Sequence, residues 1–283
     1  MRKLLAALKL KLVLLNQVWM GRLLQKMLGP HVTALVVKTE NGQFAIAPDD
    51  YEIGKALRKK GRYGQTEVET LKPYLMPQSR VLIVGAHIGT LVIPIAHQVA
   101  EVVAVEANPA TYGLLTMNLA LNHITNCQAI NIAASNQTET LEFLINRANS
   151  GGTKRVPQLK KFIYYYDQPE IQRIPAVSLD EYLADQAFDV ILMDIEGSEY
   201  FALLGMQRLL SHAQALMVEF LPHHLTNVSG VTVAEFVGAI APHFSHLTIP
   251  SQGIVLEQRD FIPHLEAMVI AQQGDDGILF RKD

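Results

Sequence analysis

Four short runs dominate the reading of this sequence: VLIV (81–84), VVAV (102–105), VILM (190–193) and ALMV (215–218). Each is apolar throughout, with no alternation of polar and apolar residues. A strand with that pattern must be covered on both faces, which is the situation of a parallel strand between two layers of helices. Helical patterns separate the runs. Asn108-Pro109 places a capping side chain before a proline at the first helical position, opening a helix to about Asn122. Further helices are expected over about 89–99 and 199–210. The boxes T-x-x-E at Thr66, S-x-x-E at Ser178 and T-x-x-E at Thr232 each predict a helix start. The fold expected is therefore α/β, a doubly wound, mostly parallel sheet.

Other elements are placed around this frame. The segment 31–48 holds two β-rich runs around Asn41-Gly42, a hairpin signal. QAINIAA (128–134) reads as a third strand of the main sheet and TLEFLIN (140–146) as an excursion from it. The tail, 244–282, reads as strands and turns. The organisation predicted is a basic, Leu-rich helical segment over 1–30, a β-hairpin and helix over 31–78, and a Rossmann-like domain over 79–283 with an insertion at 146–173. No internal repeat is found.

Charge is unevenly distributed. The net charge is −3, from 24 Lys and Arg against 27 Asp and Glu. Seven of the basic residues precede Glu40, the first acid in the chain, which leaves 17 basic against 27 acidic residues beyond it, a net of −10. The acidic body gives no ground for nucleic acid as a partner. The single cysteine, Cys127, excludes a disulfide scaffold and fits a reducing, cytoplasmic setting. The N-terminal arm lacks the uninterrupted apolar length of a membrane span and the cleavage site of a signal peptide. Leu4, Leu8, Leu12, Leu15, Trp19 and Leu23 recur at helical spacing. Such a stripe is covered by its own domain, by a second subunit in a homo-oligomer, or by an anionic membrane surface that residues 1–28 would contact.

In an open α/β sheet, ligands sit beyond the carboxyl ends of the strands. After the first run comes Gly85-Ala86-His87-Ile88-Gly89, and after the second comes Glu106, 21 residues beyond Gly85. Glycines allow a tight turn and close approach to a ligand, and an acid at the end of the second strand accepts hydrogen bonds from ribose hydroxyls. The pair predicts an adenosine-type nucleoside. A dinucleotide fingerprint fails at His87 and Thr90, and no phosphate loop occurs, so S-adenosylmethionine is favoured over NAD. After the third run comes Asp194-Ile195-Glu196-Gly197-Ser198-Glu199, and after the fourth Glu219 and His223-His224. Strand alternation puts Asp194 and Glu196 on one side, where two carboxylates need a ligand, a cation or a proton. Asp194, Glu196 and His223 are the catalytic candidates, with Asp194 or His223 as base. No ligand spacing demands a metal.

VLIVGAHIGT, VVAVEANP, NIAASNQTETLEF, VSLDEYL and FDVILMDIEGSEYFALLGMQRLL, in that order, resemble the FkbM family of S-adenosylmethionine-dependent methyltransferases over about residues 60–225. The resemblance implies a class I methyltransferase fold, ending in an antiparallel strand. By position it implies that Gly85, Ala86, His87 and Gly89 surround the cofactor, with Glu106, Ala107 and Asn108 at its ribose. Asn131, Ile132 and Ala133 would lie near the adenine, and Asp194 and Glu196 would face the methionine part or the acceptor. The chain departs from the family at Val84, His87 and Met193, where an Asp, an Asn and a Lys are common. The acceptor implied is a small molecule or glycan methylated on oxygen: a saccharide, glycolipid or secondary metabolite. The N/D-P-P-Y/F motif of base N-methylation is absent. The insertion, with six basic residues and Tyr164, Tyr165 and Tyr166, reads either as a lid over that acceptor or as a solvated excursion. An NAD-dependent oxidoreductase and a non-catalytic, interacting member of the same fold are the alternatives.

Overall fold

The computed structural model describes residues 2–283. Fourteen strands run in chain order: β1 Leu35–Thr39, β2 Gly42–Ile46, β3 Arg80–Val84, β4 Glu101–Val105, β5 Cys127–Ile130, β6 Ala133–Ala134 and β7 Glu139–Ile145. They continue as β8 Lys154–Arg155, β9 Glu170–Val177, β10 Val190–Met193, β11 Ala215–Phe220, β12 His246–Ile249, β13 Ile254–Glu257 and β14 Asp275–Arg281. The main sheet has eight strands in the order β13-β12-β14-β11-β10-β3-β4-β5. From β5 to β11 the pairing is parallel. Then β14 enters antiparallel between β11 and β12. All four apolar runs are central strands of this sheet. Their residues divide by alternation between two cores: Leu82, Val84, Val103, Val105, Ile191 and Met193 on one face, Val81, Ile83, Val102, Ala104, Val190 and Leu192 on the other. Both faces are buried, which is why the runs carry no polar residue.

The hairpin β1–β2 forms at Asn41-Gly42 as expected. It is not a separate unit, since Phe44 and Ile46 belong to the core beside Val81 and Ile83. Buried Asn118, on the helix Pro109–Leu121, fastens it by exchanging hydrogen bonds with the backbone of Ala45 (2.6 and 3.1 Å).

Several expectations are corrected. The strand drawn over 128–134 breaks after Ile130, because the Asn131 amide turns back to the carbonyls of Glu106 and Ala107 (2.8 and 3.1 Å). Its remainder, β6, joins a second sheet, β6-β9-β7-β8, that spans 133–177 and contains most of the expected insertion. The helix at 89–99 is regular only over Val92–Ala96. That at 199–210 is split into Glu199–Leu204 and Gln207–His212 around Gly205, whose Cα lies against the Ser135 carbonyl. The tail contains a helix, Phe261–Ala271, whose Phe261, Leu265 and Met268 reach the core. Of the three capping boxes only that at Thr232 forms. Thr66 lies inside the helix Gln65–Leu71, which starts at Gly64, and the Ser178 hydroxyl donates instead to the Gly205 carbonyl at 2.9 Å.

The N-terminal helix, Arg2–Leu28, packs on the body through Leu14, Gln17, Val18, Gly21 and Gln25. Gly21 is buried, and a Cβ there would collide with the Asp49 carbonyl. Gln17 donates to the Glu52 carboxylate. The Leu-rich stripe is not covered by its own domain: Leu8 is 54%, Leu12 61%, Leu15 41% and Trp19 62% exposed, and of the stripe's described side chains only Leu23 is half-buried.

Candidate active site

The loop after β3 turns through left-handed conformations at Gly85 (φ 90°), His87 (φ 50°) and Gly89 (φ 91°). At Gly85 a Cβ would strike the Asp194 carbonyl, so glycine lets the ends of β3 and β10 meet backbone to backbone. Gly89 has a different role from the one expected. A Cβ there would come within 2.9 Å of Leu115, and Gly89 does not line the cleft.

A cleft opens beyond β3, β4 and β10, walled by Gly85, Ala86, His87, Glu106, Ala107 and Asp194. Glu106 is buried and accepts hydrogen bonds from the backbone N–H groups of His87 and Asn108, both at 2.8 Å. Burial pushes its carboxyl up to about 7, against the pull of those two N–H groups. Asn108 stands behind the wall. Its side chain caps the helix at Ala110 N–H (3.0 Å) and donates to the Thr153 hydroxyl (3.2 Å). His87 is fixed by a chain invisible in the sequence: its Nε2 lies 2.7 Å from the Ser150 hydroxyl, which donates to buried Asp50 at 2.6 Å. Burial pushes the imidazole down to about 4, so it is neutral.

Next to this cleft lies a narrow apolar slot formed by Ala107, Ile132, Ala133, Phe143, Ile195 and Ser198. The Ser198 hydroxyl is buried there without a hydrogen-bond partner, as is the Asn149 side-chain amide oxygen in the neighbouring cleft wall. The slot, with its one orphaned hydroxyl, offers apolar walls to a purine but would have to widen to admit the ring, and the buried carboxylate beside it matches the hydroxyl donors of a ribose. The residues present therefore suit an adenosine cofactor.

A second cleft, of about 310 Å³, adjoins the first and shares Tyr63, Leu91, Asp194 and Glu196 with it. Glu67, Glu219 and Asp276 complete its polar wall, and among the described residues no Lys or Arg lines it. Carboxylate oxygens of Asp194, Glu196 and Glu219 lie within 4.8 Å of one another, a spacing a hard cation can span. They converge for a reason other than strand alternation, since β10 ends at Met193. The chain turns back at Glu196 (φ 58°) and Gly197 (φ 98°).

The charges are graded. Burial would raise Glu196, but Lys154 at 2.7 Å and His224 at 3.3 Å overcome it and hold the carboxyl below its ordinary value. Asp194 has no such cation. Burial, then Glu219, Glu196 and Glu199, lift it well above the carboxylate range. Glu219 is raised well above its ordinary value too, first by burial and then by Glu196 and Glu199. His224 bridges Glu196 and Glu219 (3.1 Å to the latter), and burial lowers its imidazole. His223 is drawn elsewhere. Its Nδ1 lies 3.2 Å from the Tyr164 hydroxyl, burial pushes it down to about 4, and it lines neither cleft.

Of residues 146–173, Asn149, Ser150, Gly151 and Thr153 wall the first cleft, but the tyrosines and cations expected over the acceptor line neither cleft. Tyr164 is buried with Leu144 and Val228. Five of the six cations are engaged within the protein: Arg147 with Asp49, Lys154 with Glu196, Arg173 with Glu142, Arg155 over Phe201 and Lys160 over Tyr165. The residues missed from the sequence are Tyr63, Glu67 and Asp276, which wall the second cleft, and Asp50, Ser150 and Lys154. Only Lys154 carried a signal, as one of a basic run.

A model of the methyltransferase FkbM domain matches residues 84–248, more than half of the chain. The chain belongs to the FkbM methyltransferase domain family. The sheet agrees, since an antiparallel strand inserted beside the last parallel one gives the class I methyltransferase order and not that of a dinucleotide-binding sheet. The cofactor of this family is S-adenosylmethionine, for which the first cleft is suited.

Comparison with curated proteins finds no match. Among solved structures the chain is similar to a methyltransferase FkbM from Methylobacillus flagellatus KT. The identity is 16% over 73% of this chain and 44% of that one, with a TM-score of 0.38. It is also similar to the T. thermophilus 16S rRNA N2 G1207 methyltransferase in complex with AdoMet and guanosine: 16% identity, 88% and 50% coverage, TM-score 0.45. An rRNA methylase from Streptococcus thermophilus matches at 14%, with 77% and 95% coverage and a TM-score of 0.44. The chain thus spans about half the length of the first two.

Proposed function

We propose that this FkbM-family protein methylates a hydroxyl oxygen of an uncharged, polyol-like acceptor: a saccharide, a glycolipid headgroup or a hydroxylated secondary metabolite. The observation that carries the reading is Asp194, which lines both clefts, has no cation beside it and is lifted well above the carboxylate range. A base with a raised pKa accepts a proton near neutral pH more effectively than an ordinary carboxylate. The second cleft offers carboxylate acceptors to several hydroxyl donors and no cation to a phosphate or carboxylate. That composition supports a neutral acceptor.

The parts divide as follows. Glu106 would hold the ribose, the slot at Phe143 and Ser198 the adenine, and Ala86 and the backbone around Gly85 the remainder of the cofactor. When bound, the cofactor supplies an electrophilic methyl group on a sulfonium sulfur. Asp194 takes the proton of the acceptor hydroxyl. Glu196, neutralised by Lys154, stays ionised and accepts a hydrogen bond from a neighbouring hydroxyl, fixing the acceptor's orientation. Alignment of this kind contributes up to about 7–11 kcal/mol in favourable cases. His223, turned to Tyr164, serves as a support.

Calorimetric titration with S-adenosylmethionine, S-adenosylhomocysteine and NAD tests the cofactor. Binding of the first two, lost in Glu106→Ala, is expected. Transfer of labelled methyl to neutral saccharide pools but not to their phosphorylated counterparts tests the acceptor. Transfer only to phosphorylated or amino acceptors would overturn the assignment.

A further inference from the structure

We propose that the N-terminal helix is a docking element for an anionic lipid surface. From Leu14 onward the helix turns one face to the body, and before it residues 8–13 are exposed all round. At about 100° per residue, Leu5, Leu8, Leu12, Leu15, Trp19 and Leu23 form one stripe, centred opposite Leu14, Val18, Gly21 and Gln25. Of these, Leu5, Leu8, Leu12, Leu15 and Trp19 are 41 to 62% exposed. Leu10 and Val13, off this stripe, are 48% exposed as well, and large apolar side chains at such exposure mark a surface that something covers.

Charge identifies the occupant. Lys9 flanks the stripe on its outer side; Lys11 lies over the Phe162 ring at 5.1 Å, and Arg22 and Lys26 line the cleft between helix and body beside Asp49 and Asp167. All four are exposed. Long basic side chains beside an apolar stripe can lay their stems along it and keep their ammonium groups at a headgroup layer. Every ionisable side chain before Glu40 is basic apart from His31, whereas the rest of the chain carries a net −10. An anionic surface therefore attracts the helix and repels the body, which sets the orientation as well as the affinity.

A second copy is the competing occupant. The same positions follow a heptad spacing, but pairing two such helices would bring lysines and arginines together with no acid on either to answer them. No helix among the described residues is long and apolar enough to cross a membrane, so the contact is one of lying on the surface.

The chain reports on its own docking, because Trp19 is its single tryptophan. The full chain is mixed with vesicles of phosphatidylcholine alone and of phosphatidylcholine with phosphatidylserine. Emission from Trp19 should move to the blue, and the protein should sediment, with the anionic vesicles only. Lys9→Glu, and the pair Leu8→Glu with Leu12→Glu, should each weaken binding at least about tenfold and leave the melting temperature unchanged. Equal binding to both vesicle types, binding indifferent to both variants, or no binding by folded protein would overturn the proposal. So would a dimer in sedimentation velocity that Leu12→Glu dissociates.

Discussion

Replacing Lys154 by methionine separates the electrostatic role of the second sheet from its packing role. The Lys154 side chain is 6% exposed and its partner Glu196 19%, with 2.7 Å between them. Removing one partner of a buried ion pair costs about 3–5 kcal/mol, because the other is left charged and unanswered. Glu196 keeps His224 at 3.3 Å and some solvent, which places the expected loss near the lower end, about 3 kcal/mol. For a chain of this size, at about 2–4 °C per kcal/mol, the melting temperature should fall by about 6–12 °C. The loss should depend on pH in a definite direction. Lys154 holds the Glu196 carboxyl below its ordinary 4.5 despite burial. A depressed acid contributes stability that is present above its unfolded pKa and is lost as pH falls through its folded one. The gap between wild type and variant should thus be full at neutral pH and narrow as pH falls through the ordinary carboxylate range. Adding Glu196→Gln to Lys154→Met should recover most of the loss. Urea unfolding of the three proteins over that pH range is the assay. A gap under about 1 kcal/mol, or one indifferent to pH, would refute the claim that this pair is electrostatically coupled in the core.

Three further outcomes follow from the cleft. Asp194→Asn should slow methyl transfer by about 10²–10⁴-fold and leave cofactor affinity within a few-fold, as measured by labelled-methyl transfer beside calorimetry. In wild type the rate should rise with pH through a pKa above the ordinary carboxylate range, because burial and Glu219 lift Asp194. Glu106 sits at about 7, so cofactor affinity should weaken as pH falls below about 7 and level off above it, a dependence that Glu106→Gln removes. Ser198→Ala should leave the empty protein as stable or more stable, since the hydroxyl is buried without a partner. The same change should weaken cofactor binding by about three- to tenfold, the worth of one hydrogen bond.

What the sequence made legible was whatever short-range rules control. The central strands could be read because burial on both faces leaves only apolar residues. Glu106 and Asp194 could be read because each stands one residue beyond such a strand. The second sheet could not. β6 is two residues long, and β9 contains Pro175, tolerated where β6 no longer pairs alongside and the strand is an edge. The capping boxes show the limit well. At Thr232 the side chain is exposed and nothing competes, so the box closes. At Ser178 a tertiary acceptor, the Gly205 carbonyl, takes the hydroxyl. At Thr66 the left-handed Gly64 starts the helix early. Ser150 and Asp276 line the two clefts, and Asp50 and Lys154 act on them through Ser150 and Glu196; they come from segments far apart in the chain, and no local pattern marks their placement.

The N-terminal helix shows why periodicity and burial part company. The periodic leucines define an apolar face but not what covers it. The face that packs is Leu14, Gln17, Val18, Gly21 and Gln25, small and polar enough that no count of hydrophobic residues would select it. Its key position is Gly21, where backbone meets the Asp49 carbonyl. One turn before, Gln17 holds Glu52, and Glu52 lines the cofactor cleft. The docking of the helix is thereby coupled to the cleft wall. Gly21→Val should push the helix away from Asp49, release Glu52 and weaken S-adenosylmethionine binding several-fold, although residue 21 lies outside the cleft. Leu12→Glu, on the outward face, should leave that affinity unchanged while weakening attachment to anionic vesicles. Calorimetry on the two variants distinguishes the faces: equal cofactor affinity in both would show that the helix and the cleft wall are independent.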